Sequence, residues 1–79
     1  MGLAESEAEL AERLSRFLKA ELKRADMTYE ELAHKLKQHG LEETENSIKA
    51  KLKRGTFPAT FFTAAIAAMG LDGLALEDL

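Results

Sequence analysis

The chain contains no cysteine, so neither a disulfide nor a thiolate metal site can brace it. It has no tryptophan, one tyrosine and one proline. Its five glycines fall into no phosphate-cradling motif. No long apolar run occurs that would span a bilayer. The first ten residues, MGLAESEAEL, are acidic, the reverse of the basic start of a signal peptide. These absences imply a soluble cytoplasmic protein with no membrane segment, and the lack of cysteine fits a reducing compartment. Seventy-nine residues suffice for one domain, 1–79, with a modest core. Its fold must rest on packing and clear local signals, or on a partner chain.

Catalytic chemistry is equally scarce. His34 and His39 are five apart and do not share a helical face, so a surface or capping role suits each better than metal ligation. Ser6, Ser15 and Ser47 lie outside any Gly-rich elbow. Glu42, Glu43 and Glu45 form a carboxylate cluster without metal partners or a calcium-loop spacing, so they read as a solvated loop and helix cap. The sequence therefore predicts no enzyme, no metal and no cofactor.

What is present is charge laid out in blocks. The net charge is −3. Residues 1–12 carry four acids and no base, residues 46–54 carry four bases and no acid, and residues 72–79 carry three acids. Both ends are acidic and the middle is basic, a pattern that allows a local basic face on an acidic molecule.

The apolar pattern is helical throughout and predicts an all-α, compact four- to five-helix bundle. Leu10, Leu14, Phe17, Leu18 and Leu22 recur at helical spacing behind a Ser6–Glu9 capping-box pair, for a helix over about residues 6–25. Thr28 with Glu31 makes a second capping box, and Met27 and Leu32 are spaced as a hydrophobic staple. That second helix runs over about 29–38 and stops at Gly40, with Leu41 turning back to the core. Thr44 caps a third helix over about 45–54, with Ile48 and Leu52 inward and Gly55 ending it. Pro58 opens a fourth, about 58–69, with no charge and apolar residues nearly all round, so burial on most sides is expected. The tail can close in one short turn or helix over about 75–79.

Particular strings carry two resemblances. TYEELAHKL, IKAKLKRGTFP, AAIAAMGL and LALEDL are similar to the second, third, fourth and start of the fifth helices of lambda-repressor-like helix-turn-helix domains. The resemblance covers roughly residues 18–79. TYEELA at 28–33, ETENSI at 43–48, KLKRGTF at 51–57 and the Phe61–Phe62 pair more closely resemble a small, uncharacterised bacterial domain family, which brings no established activity. Two departures from the repressor pattern stand out. QHGLEET makes a long link where a tight turn is expected, and the run from Ile48 to Gly55 is longer too.

The repressor resemblance implies a DNA-binding module, a small bacterial transcriptional regulator that pairs as a homodimer on double-stranded DNA. With Ile48 and Leu52 inward, Asn46, Lys49, Ala50 and Lys53 face outward as base readers, with adenine suiting Asn46 and guanine suiting Lys49. Lys51, Arg54 and Thr56 would contact phosphates, with Thr28 and Tyr29 at the second helix start. Tyr29 fits a half-buried core aromatic equally well. Lys19, Lys23 and Arg24 either extend the basic face or pair with Glu21 and Asp26. Two arguments oppose this reading: cations favour any helix C-terminus, and Glu42, Glu43 and Glu45 set acids at the end that would enter a groove.

The alternative is a protein-interaction or self-association module on the same scaffold. Phe61 and Phe62 are adjacent, so an exposed one among alanines would mark a partner surface. Burial of both is the competing reading.

Overall fold

The computed structural model describes residues 4–79; residues 1–3 of the expected domain lie outside the described residues. Those described form α1 (Glu7–Arg24), α2 (Tyr29–Lys37), α3 (Glu45–Arg54) and α4 (Ala59–Ala68), followed by a single 3₁₀ turn, Leu76–Asp78. No strand occurs among them. α3 packs against both α1 and α2, and α4 packs against α2.

Local chemistry accounts for most helix starts. At α2 the Glu31 N–H donates to Thr28 Oγ1 at 3.1 Å, and the Thr28 N–H donates to Glu31 Oε1 at 3.0 Å, so two orphan donors are satisfied reciprocally. At α3 Ser47 supplies the same return bond: its N–H donates to Thr44 Oγ1 and its Oγ accepts from the Thr44 N–H. Only half of the Ser6–Glu9 box forms. Ser6 accepts the Glu9 N–H, but the Glu9 carboxylate turns away to Arg13 at 2.6 Å, one turn on, where it gains a charged partner. Pro58 caps α4 from outside, in extended backbone, rather than serving as its first helical residue.

Helix ends use left-handed residues. Gly40, Gly55 and Gly70 all have positive φ. At α2 and α4 the residue after the glycine donates back into the last turn, Leu41 N–H to Leu36 O and Leu71 N–H to Ile66 O. α1 makes the same closure with Asp26 at φ 54°, and the Met27 N–H donates to Leu22 O. Met27 and Leu41 thereby turn inward and pack against the core.

The core joins Leu18 and Leu22 of α1, Leu32 and Leu36 of α2, Ile48 and Leu52 of α3, and Phe61 of α4. Burial of α4 is one-sided, contrary to the expectation from its composition. Phe61, Ala64, Ala65 and Ile66 are buried, while Ala59, Thr60, Thr63 and Ala67 are exposed. Alanine and threonine tolerate water, so a helix without charge does not require an apolar neighbour on every side.

α1 meets α3 at close range. Gly55 is buried beside Ala11, and the buried Ser15 hydroxyl donates to the Leu52 carbonyl. That carbonyl is in the last turn of α3, where no intrahelical donor remains for it.

Candidate nucleic-acid interface

The register of α3 is set by Ile48 and Leu52, both essentially excluded from solvent. Positions 46, 49, 50 and 53 then fall on the outer side by helical geometry. Asn46, Lys49, Ala50 and Lys53 are all exposed. Lys49 Nζ is 3.5 Å from Glu45 Oε1, an ordinary exposed pair one turn apart. Among the described residues Lys53 and Arg54 make no ion pair.

Lys51 corrects the expected set of phosphate contacts. Its side chain is only 19% exposed, and its ammonium donates to Glu43 Oε1 at 3.1 Å. It also stands 5.6 Å from the centre of the Phe61 ring, a cation–π geometry. The position after Ala50 faces α4 rather than solvent, so this cation braces the fold instead of reaching out. Glu43 is spent in the same knot, accepting from the Ser47 hydroxyl at 2.6 Å. Of the three acids at the start of α3, Glu43 is turned inward, Glu45 is paired and Glu42 is exposed. The negative charge at this helix entrance is therefore smaller than the sequence suggests.

Arg54 and Thr56 are exposed and line a shallow groove against α1, with Arg16, Lys19 and Lys53. A second groove is lined by Thr28, Tyr29, Lys19, Lys23 and Lys49. Thr28 is exposed, with its hydroxyl engaged in the α2 cap. Tyr29 is half-buried and packed against the core. Lys19 belongs to both grooves, so they form one strip along the α1–α3 junction. Arg16, Lys19, Lys23, Lys49, Lys53 and Arg54 line it, against Glu7, Glu12 and Glu45. Arg24 does not join it: it pairs with Glu21 at 3.3 Å and lines a different groove, beside Glu77 and Asp78.

The titration of one acid is displaced at this end of the molecule. The Thr28 backbone N–H, helped by its hydroxyl and by Lys35, holds the Glu31 carboxyl below its ordinary range.

The model of a domain of unknown function, DUF6471, matches residues 10–74. The chain belongs to the DUF6471 family. TYEELA, ETENSI, KLKRGTF and the Phe pair all lie within the matched residues of this DUF6471 chain. A comparison with curated proteins finds no match, and one with solved structures finds none either.

The aromatic pair of the DUF6471 domain divides between two environments. Phe61 is 1% exposed and belongs to the core, which corrects its expected place on a partner surface. Adjacent helical residues point about 100° apart, so once Phe61 enters the core Phe62 cannot follow it. Phe62 is half-buried and stacks on Phe57 at 6.1 Å between ring centres. Together they line an apolar groove with Leu10, Leu14, Leu74 and Leu76, and Leu76 is 67% exposed. The apolar fourth helix and the leucine-rich tail are the expected partner surface, and both contribute to this groove; Phe57, Leu10 and Leu14 are unexpected members of it. Its members come from α1, the α3–α4 link, α4 and the tail, so no single helical period joins them.

Proposed function

We propose that this DUF6471 domain binds double-stranded DNA through the outer face of α3, as a helix-turn-helix module of a small bacterial transcriptional regulator acting in the cytoplasm. The observation that carries this reading is the exposed row Asn46, Lys49, Ala50 and Lys53, backed by a rigid apolar edge. A helix held by Ile48 and Leu52 can enter a major groove without losing its packing. Asn46 has the donor and acceptor that adenine requires, and Lys49 and Lys53 suit the guanine edge or phosphates. Arg54 and Thr56, at the end of the helix, are suited to phosphate. The inward turn of Glu43 removes part of the repulsion that opposed this reading. One copy offers few base contacts, so a paired copy on a second half-site belongs to the reading.

The test is binding to a labelled random-sequence duplex across a salt series. Affinity should fall steeply with salt. Lys49→Glu combined with Lys53→Glu should abolish binding while the domain stays folded, because both side chains are exposed. Its melting temperature should fall modestly, because Lys49 loses its pair with Glu45 and an acid enters the last turn of α3. Unaltered affinity in that variant would overturn the assignment.

A second reading is self-association, favoured by the apolar groove under Phe62 and Leu76. Leu10 and Leu14 lie on nearly the opposite side of α1 from Lys19 and Lys23, so pairing there would leave the basic strip open. A Leu76→Glu variant that stays monomeric in sedimentation, where the parent dimerises, would support it.

A further inference from the structure

We infer that α1 supplies a second contact rail for the same nucleic acid, with Lys19 and Lys23 seating the phosphate backbone beside the α3 face. The inference rests on the DNA reading above, but its observation is separate. Lys19 and Lys23 are one turn apart on α1, both exposed, and neither makes an ion pair among the described residues. Lys19 lines both grooves of the α1–α3 junction, and Lys23 shares one of them with Lys49. The strip thus has two parallel sides, one from each helix, with the core residues Leu22 and Leu52 along its floor. Other cations of α1 differ. Arg13 is bound to Glu9 and to the Leu79 carbonyl, Arg16 is paired with Glu12, and Arg24 is bound to Glu21 on another side of the helix.

This arrangement separates two tasks. Cations on α3 lie beside Asn46 and are positioned for base edges. The α1 lysines have no available amide or hydroxyl reader on their own ridge, since the Ser15 hydroxyl is buried and given to the Leu52 carbonyl, and they fit a phosphate, which any sequence offers. They would raise affinity for all duplexes alike and set much of its dependence on salt.

The experiment compares three proteins on a labelled random-sequence duplex across a salt series. They are the parent, Lys19→Gln with Lys23→Gln, and Arg24→Gln as a one-charge control on the same helix. Each phosphate contact adds about 0.9 to the slope of log affinity against log salt, so the double variant should lose about 1.8. Arg24→Gln should lose nothing. Thermal melting of the double variant should match the parent, since both lysines are exposed. A parent that binds with a slope unchanged by the double variant overturns this inference and leaves the α3 reading standing. A loss of about 0.9 in Arg24→Gln, half that of the double variant, also overturns it, because general charge would then suffice. A parent that binds no duplex at low salt overturns both.

Discussion

Gly55 stands so close to Ala11 that no side chain fits between α3 and α1. A Cβ built on Gly55 would fall 2.7 Å from the Ala11 carbonyl carbon and 2.8 Å from its Cβ, and nearer still to its carbonyl oxygen. The backbone there is also left-handed, at φ 75°. Gly40 has a similar φ of 81° but open space around it. The two glycines therefore separate conformational cost from steric cost. Gly40→Ala should lose about 1 kcal/mol, the left-handed penalty alone. Gly55→Ala should lose about 3 kcal/mol or more, because α1 must move as well. Urea unfolding of both variants checks this, and equal losses would contradict the close approach.

Ser15 holds the same junction by a hydrogen bond to the Leu52 carbonyl. Ser15→Ala leaves that acceptor without a partner in a buried setting and should cost about 1–3 kcal/mol. Ser6→Ala removes an exposed cap instead and should cost about 0.5–1 kcal/mol. Chemical denaturation should rank the two in that order.

The Glu43–Lys51 pair is predicted to act in stability and not in DNA binding. With side chains 10% and 19% exposed, either partner alone would be left as a charge poorly served by water. A double-mutant cycle with Glu43→Gln and Lys51→Met should return a coupling of about 1–3 kcal/mol. Lys51→Met should leave the salt slope of duplex binding as it is in the parent. A loss as large as that of an exposed lysine would restore Lys51 to the contact set.

Glu45 is predicted to restrain Lys49. Their pair is exposed and Glu45 is the acid of the first turn of α3, so Glu45→Gln should cost no more than about 1 kcal/mol. Affinity for random duplex should rise, because one carboxylate leaves the strip and Lys49 is released. Weaker binding would count against the proposed face.

Acid sensitivity is predicted at the α2 cap. The folded-state pKa of Glu31 is lowered, chiefly by the Thr28 backbone N–H. Its contribution to stability is present above the unfolded glutamate range and is lost as pH falls through that range to the lowered folded value. Glu31→Gln keeps a side-chain acceptor but no charge, so its melting temperature should fall less than that of the parent over this window. Parallel pH profiles would refute the role.

Much of the helical fold was legible locally. Thr28 and Glu31 three residues apart announce a cap, because the hydroxyl at that spacing reaches an orphan N–H; the return bond depends on competing partners, as the turn of Glu9 to Arg13 shows. Gly40 and Gly55 announce helix ends, since left-handed backbone favours glycine. Ile48 and Leu52, one turn apart, set the inner edge of α3 and hence the outward positions of Asn46, Lys49 and Lys53. These signals act over three or four residues, and the sequence alone determined them. Tertiary structure decided what depends on residues far apart in the chain. It turned Lys51 to Glu43 and Phe61, set Phe61 in the core with Phe62 at its margin, and drew Lys19 and Lys23 beside α3. It also joined Leu10 and Leu14 to Leu74 and Leu76 in one groove. A helical period tells which residues share a face of one helix. Which face of the next helix they meet depends on packing, and that follows from the shapes of Ala11, Gly55 and Ser15 at the crossing.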